Sequence, residues 1–324
     1  MGGDDAPRSI VAGAIEAARA YDYEIILVGD QSLLQSELEK HKSVPKSISI
    51  RHAGSFVRMD EAAACSIRKK KDASVAICAD LIKKGVADAM VTAGHTGAAV
   101  VACSLKLRTL EGIERPGIGI LFPTLGTPTL LMDVGANIDT KPSHLLQYAH
   151  MGDVYFRYIM RKNRPSVGIL NIGEEESKGT EIIKEAHQLL SKSRLHFIGN
   201  VEGRDIFNGK VDIVICDGFV GNVVLKVAES IADVIGKLLK QKLKESPLTQ
   251  IGALLAKPAF NALKKEIDYA EQGGAPILGI NGTCIICHGS SNARAIKNAI
   301  RVCGEFKKYE INNDIMEAVR NGQE

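Results

Sequence analysis

The sequence has no tryptophan, and only 5% of its 324 residues are aromatic. Stacking platforms for bases and aromatic cages for cationic ligands both need such rings, so neither is expected. A dominant charge is also lacking: 41 basic residues stand against 38 acidic ones, a formal net charge of +3. That balance argues against a surface built for nucleic acid. No window reaches 18 uninterrupted apolar residues, so no membrane-spanning helix is expected. The opening MGGDDAPRS carries two acids and no apolar segment of the kind an export signal uses. Its MGG start invites a myristoylation reading, but Ala6 stands where that motif wants Ser or Thr.

Seven cysteines without an export signal imply free thiols in a reducing, cytoplasmic compartment. Cys284, Cys287 and His288 spell the haem-attachment pattern CxxCH. TCIIC reads better as a buried strand whose alternation sends the two thiols to opposite faces. A redox CxxC would open a helix, and this one lies in a strand-like run. No cofactor or metal is called for.

What the sequence does contain is a 45% apolar fraction cut into short β-branched runs. Strands are predicted within 24–30, 87–94, 117–123, 128–137, 166–173, 194–200 and 211–222, most of them running into a Gly turn. Helical stretches fall between them, such as 72–85 and 179–193. In the second, Ile182, Ile183, Ala186, Leu189 and Leu190 share one face. This alternation predicts an α/β fold: one domain over 1–324, three-layered, with a mostly parallel Rossmann-like sheet.

Residues 223–272 break the rhythm. Val224, Val227, Ile231, Val234, Ile235 and Leu238 form a helical stripe. Ile251, Leu254, Leu255, Ala259, Ala262 and Leu263 form a second one beyond Ser246-Pro247. A projecting helical hairpin is predicted, kinked at Pro258. Between residues 237 and 265 it carries seven Lys and one Glu. Basic residues around an apolar tip of Leu254, Leu255 and Phe260 suit an anionic bilayer surface. The plainer alternative is a dimer-forming helix pair with a solvated basic face.

Gly-rich turns at strand ends are the candidates for chemistry: MGGDDAP at the start, TAGHTGA (92–98), DVGAN (133–137), NIGEEESKGTE (171–181) and DGFVGN (217–222). Such turns let backbone amides converge on an anion at the edge of the sheet. Singly, each is as well explained by ordinary turn chemistry. Lys178 precedes a predicted helix and can reach an anion held there, or it can simply pair with Glu174, Glu175 or Glu176. Asp217 leaves a buried strand and either takes part in chemistry or caps the next helix, as Asn222 also could. His288 ends a strand and reads equally as a turn residue.

Together with ERPGIGILFP, LLMDVGANIDTKPSHLLQYAHMGDVY, FIGNVEGRDIF and GGAPILGINGTCIICHGSSN, these motifs stand in the order they take in the PlsX family of phosphate:acyl-ACP acyltransferases, and the chain resembles that family along its whole length. The resemblance implies a homodimer with a fold like phosphotransacetylase and isocitrate dehydrogenase. It implies that acyl-ACP and inorganic phosphate give acyl phosphate, which feeds a membrane glycerol-3-phosphate acyltransferase. Lys178 and Asp217 fall on the positions that the family treats as essential. Gly3, Asp4, Gly94, His95, Thr96, Gly97, Asn137, Asn171, Gly173, Gly218, Asn222 and His288 are the expected substrate-binding set.

There are three departures from the family pattern. Family members carry a strand of the form IAVDA ahead of MGGD, which this chain does not show, and a missing strand would expose a sheet edge. His95 replaces an Asn. Ile286 replaces a Lys two residues before HGS.

Phosphate is itself a nucleophile near neutral pH, and no GxSxG elbow or Cys–His pair supplies another. Lys178 is expected to bind it, with Asp217 orienting Lys178 or accepting a proton. Amides near Gly218 and Gly97 are candidate oxyanion donors. Two alternatives stand beside this: a short-chain acyl-CoA phosphotransacylase, which would not need the basic hairpin, and an inactive membrane-associated scaffold. A dehydrogenase of the related fold is disfavoured by the lack of a clustered Asp set or a GxGxxG after the first strand.

Overall fold

The computed structural model describes residues 1–260, 262 and 273–322. Continuous apolar runs become strands covered on both faces: β4 (Gly117–Phe122), β5 (Thr129–Met132) and β8 (Ile213–Ile215) are buried at every position. With β3 (Ala89–Thr92), β6 (Ser166–Leu170), β7 (His196–Val201), β9 (Ala275–Leu278) and β10 (Thr283–Ile286), they form an eight-stranded sheet ordered β3-β10-β9-β4-β5-β8-β6-β7. The pairs β3–β10, β5–β8, β8–β6 and β6–β7 are parallel. The antiparallel steps are β10–β9, β9–β4 and β4–β5.

Each face of the sheet has its own apolar core. On one side α6 (Pro142–Met160), α7 (Glu181–Lys192), α11 (Ala293–Lys308) and α12 (Ile311–Asn321) supply Tyr148, Phe156, Leu190, Ile296 and Ile315. On the other, α4 (Ser74–Lys83), α5 (Thr96–Lys106), α8 (Asp205–Asn208) and the first turns of α9 (Gly218–Leu243) supply Ala76, Ala102, Ile206 and Leu225. Helix α3 (Ala63–Lys69) adds Ile67 to that second core. Three layers result. Cys284 enters one core and Cys287 the other, as strand alternation predicts, and burial pushes the Cys287 thiol up to about 12. Neither is a reactive pair member.

A smaller unit precedes the sheet. β1 (Ile25–Gly29) and β2 (Ile48–His52) pair in parallel and pack with α1 (Arg8–Ala20) and α2 (Gln31–Leu38) around Val11, Ile15, Leu27 and Leu34. Among the described residues β1 pairs only with β2, and β3 only with β10. Between their free edges lies a cavity of about 1140 Å³, lined by Ile25–Val28 on one side and Ala89–Thr92 on the other, with Met1 beside them. Each of these two strands thus has one edge unpaired among the described residues.

All seven strand predictions and both helix predictions land on elements. β2 and β9 were not anticipated: ISIRH mixes charge into its run, and APIL is four residues long. The hairpin stripe appears on α9, where Val227, Ile231, Val234, Ile235 and Leu238 are all at least half exposed. Ser246 caps α10 (Pro247–Leu255) through a reciprocal bond with Thr249. The expected kink at Pro258 is instead a break. α10 ends at Leu255, Ala256 forms a turn, and helix resumes at 257 with Pro258 in its first turn, where a missing amide hydrogen costs nothing. Leu263 lies outside the described residues.

Candidate functional site

Three parallel neighbours, β5, β8 and β6, end side by side. Their exits carry three of the Gly-rich turns, brought together by strand order alone.

The loop after β5 is wound around Asp133. This carboxylate is fully buried and accepts hydrogen bonds from the amides of Ile118 (2.9 Å), Gly135 (3.1 Å), Ala136 (3.0 Å) and Asn137 (2.8 Å). Burial pushes its pKa up, while the bonds from Ala136, Ile118, Asn137 and Gly135 pull the other way. Asp133 was not singled out from the sequence. The signal was available, because an acid directly after a buried strand must find donors. The Asn137 side-chain nitrogen donates to the Pro116 carbonyl and to the Tyr148 hydroxyl (2.8 Å), so this half of the amide braces the fold.

Asp217 follows β8 and caps α9. Its Oδ1 accepts from the amides of Phe219 and Val220, both at 2.9 Å. The Gly218 amide donates to the Asn137 carbonyl at 2.9 Å. Gly218 was expected to offer an oxyanion donor; its amide is engaged instead, and the α9 N-terminus is filled by the protein's own acceptors. The packing here admits no side chain. A Cβ on Gly218 would lie 2.4 Å from the Asn137 carbonyl oxygen, and one on Gly221 only 1.9 Å from that of Asp133. Asn222 is exposed beside Gly135, whose ideal Cβ position is 3.6 Å from the Asn222 side chain.

The loop after β6 carries Lys178. Asn171 ties its two ends together: Nδ2 donates to the Lys178 carbonyl at 3.0 Å and Oδ1 accepts from the Ile172 amide at 2.8 Å. Gly179 crosses against Asn171 at φ +90°, leaving 2.6 Å for a Cβ, so only glycine fits. The Lys178 side chain is exposed, and its stem passes over Gly173, where an added Cβ would meet Lys178 Cγ at 3.3 Å. No ion pair to Lys178 is formed among the described residues. Glu174 instead lies 3.6 Å from Arg204, which also pairs with Glu202 at 3.2 Å. The α7 N-terminus opens immediately after, capped by Thr180.

The remaining expected residues form a second group. Asp4 donates its amide to the Gly289 carbonyl at 2.8 Å, and a Cβ on Gly3 would lie 3.2 Å from the carbonyls of both Ala93 and Gly289. Gly2 approaches Gly94. His95 caps α5: Nδ1 accepts from the Ala98 amide at 3.3 Å, so the ring proton sits on Nε2, which donates to the Glu61 carbonyl at 3.0 Å. The replacement of Asn by His thus keeps a cap and gains a longer reach. Thr96 is exposed and Gly97 partly so at the head of this helix. His288 is exposed, and its Nδ1 accepts from the Ser290 amide at 3.2 Å. Ile286 is 5% exposed, so a lysine there would carry its charge from a core position.

The five turns were expected along one sheet edge. Because β9 and β4–β5 reverse direction, the ladder puts the ends of β3 and β10 opposite to those of β5, β8 and β6. Twist of roughly 20° at each of the six steps from β3 to β6 then re-aims these ends by roughly 120°.

Leu254 and Leu255 are 69% and 77% exposed, and Phe260 is half-buried. No helix among the described residues is long and apolar enough to cross a membrane. Nor do they contain a group of three or more His, Cys, Asp or Glu fit to hold a metal.

The chain is similar to known proteins along nearly all of its length. A family model described as fatty acid synthesis protein matches residues 1–313. "Phosphate acyltransferase" of Geobacter sp. (strain M21) is 49% identical over 317 residues, which is 98% of this chain and 90% of the relative. The protein of that name from Heliobacterium modesticaldum (strain ATCC 51547 / Ice1) is 51% identical over 303 residues, 93% of this chain and 90% of the relative. Among solved structures, a phosphotransacetylase from Streptococcus pyogenes superposes with a TM-score of 0.64 at 16% identity, covering 94% of this chain and 92% of its own. A branched-chain phosphotransacylase from Enterococcus faecalis V583 gives 0.52 at 11% identity, covering 94% and 96%. These last two speak to fold, which is α/β with a mostly parallel sheet. The chain belongs to the fatty acid synthesis protein family, alongside the phosphate acyltransferases, and is an enzyme.

Proposed function

We propose that this enzyme transfers a fatty acyl group from acyl-ACP to inorganic phosphate, releasing acyl phosphate and ACP for phospholipid synthesis. The observation that carries the reading is Lys178: a lysine without an ion-pair partner among the described residues, on a loop tied at both ends, beside the exits of β5 and β8. A phosphate oxygen attacks the thioester carbonyl, the C–S bond breaks as the tetrahedral intermediate collapses, and the thiolate leaves to take up a proton. Lys178, next to the α7 N-terminus, holds the phosphate and offsets its charge. Asp217 keeps Oδ2 clear of the helix cap, so that oxygen can orient Lys178 or take the phosphate proton. Of the two oxyanion donors expected, the Gly218 amide is engaged by the Asn137 carbonyl, and the Gly97 amide heads α5 in the second group of turns.

The test mixes protein, acyl-ACP, phosphate and hydroxylamine and measures acyl hydroxamate. Lys178→Ala should cost about a hundredfold in rate; near-normal acyl phosphate formation would end the assignment. Replacing acyl-ACP with short-chain acyl-CoA separates the phosphotransacylase alternative, and no product from either donor would favour the inactive scaffold.

The hairpin supports a second part of the reading, peripheral contact with an anionic membrane and a homodimer formed by the same helices. Exposed Leu254 and Leu255, flanked by lysines, fit the bilayer surface, where acyl phosphate meets a membrane glycerol-3-phosphate acyltransferase. Leu254→Glu with Leu255→Glu should release the protein from anionic vesicles; undiminished binding would refute the contact.

A further inference from the structure

We propose that Asn200 is a positioning residue for the Lys178 loop. This rests on the reading above that Lys178 binds phosphate.

The loop from Asn171 to Gly179 has little apolar anchorage. Ile172 is 83% exposed, and Glu174, Glu175, Glu176, Ser177 and Lys178 are all exposed. Its position must come from a few polar contacts. One is the Asn171 bond to Lys178 described above. Another reaches in from the next strand: Asn200 Nδ2 donates to the Glu175 carbonyl at 2.8 Å. Asn200 is 7% exposed, so the donor's side of this bond is buried. It grips the loop three residues before Lys178, and the Lys178 amide in turn bonds the same Glu175 carbonyl at 3.1 Å. One carbonyl thus links the buried amide of Asn200 to the backbone of Lys178.

The strand is shaped for this purpose. Val167 pairs with Phe197 and Ile169 with Asn200, so β7 spends one more residue than β6 over the same stretch. The extra residue is a bulge, with Gly199 at φ +93°. The bulge resets alternation. Phe197 packs against one core and Val201 enters the other, although two residues of even spacing would share a face. A polar side chain is thereby placed under the loop at a strand end that plain alternation would assign otherwise.

A second observation points to a ligand-linked role. Asn200 Oδ1 is buried and has no hydrogen-bond partner. A purely structural asparagine would be expected to satisfy both ends. An unmet acceptor beside a loop of exposed residues is a seat for one more N–H, from the loop itself as it closes over phosphate. Asn200 therefore positions the loop by Nδ2 and keeps Oδ1 for a further N–H of the loop when phosphate is bound.

Steady-state kinetics of the full-length protein with phosphate varied tests this. Asn200→Asp keeps the size and Oδ1 but puts a second oxygen in place of the donor nitrogen. Its KM for phosphate should rise between about tenfold and a hundredfold, with a smaller change in kcat at saturating phosphate. Asn200→Ser, too short to reach Glu175, should behave alike. Thermal melts of both variants identify loss by unfolding. If KM and kcat stay normal, or if the whole loss follows a fall in the folded fraction, the proposal is overturned. The background of Lys178→Ala separates the two readings. There, Asn200→Asp should add nothing further to a low activity. Full activity of Lys178→Ala alone would instead overturn the phosphate role of Lys178.

Discussion

The Gly221 Cα sits so close to the Asp133 carbonyl that a methyl group on it would approach the oxygen to 1.9 Å. The first turn of α9 and the loop after β5 are therefore a single packed piece of backbone, and the Asp217 cap cannot move apart from the Asp133 loop. Gly221→Ala should destabilise the protein by about 3 kcal/mol or more, because backbone rather than a flexible side chain must yield. Gly236→Ala, further along the same helix with open space around it, should instead stabilise by about 0.5–1 kcal/mol. Chemical denaturation of both variants checks the pair; equal effects would contradict the packing described.

Asp217 has two duties that a pair of substitutions can separate. Asp217→Ala removes the cap and should cost about 1 kcal/mol of stability. Asp217→Asn keeps a capping oxygen and should leave the melting temperature close to that of the parent. If the carboxylate also takes part in the reaction, Asn should still lower the rate of acyl phosphate formation by about a hundredfold. An active, stable Asp217→Asn protein would leave Asp217 only as a helix cap.

His150, on α6, is buried with Nε2 unpartnered, and burial lowers its pKa to about 4 from 6.5. The unfolded chain takes up a proton below pH 6.5 that the folded protein resists until about pH 4. Stability from this residue is thus complete above pH 6.5 and is lost as pH falls toward 4, by about 3 kcal/mol in all. His150→Leu should flatten the stability curve in that window. A parent protein equally stable at pH 7 and pH 4.5 would rule the effect out.

The cavity between β1 and β3 makes a prediction about stability. A strand needs about 3.3 Å per residue, so five apolar residues fused ahead of Met1 would match the length of β1. Such an extension could pair with β1 and β3 together. The melting temperature should rise by several degrees, and the amides of both strands should exchange more slowly with solvent. No change in either quantity would show that the two edges do not accept a strand.

The sequence carried the fold because its strands announce themselves: IILVG, GIGILF and SVGIL are unbroken apolar runs bounded by turn residues. It could not reveal sheet order. Nothing in APIL says that β9 will run antiparallel between β10 and β4, yet that insertion divides the expected single row of turns into two groups. Motif position singled out Lys178 and Asp217 but passed over Asp133 and Asn200, whose bonds to Ile118 and Glu175 join backbone atoms remote in sequence. The His95 departure is similar: only the bond from the Ala98 amide to Nδ1 shows that a ring can do an asparagine's capping work.

The pairing of β3 with β10 joins Met90 to Cys284 across most of the chain. A ribosome adds about 5–20 residues each second. β3 therefore leaves the exit tunnel roughly 10–40 s before the strand that will cover its inner edge has been made. During that interval the nascent protein holds an apolar strand whose final neighbour does not yet exist, and the sheet can be completed only from the last part of the message. For this topology, the timing of translation and the chaperones that attend it become part of how the enzyme reaches its native form.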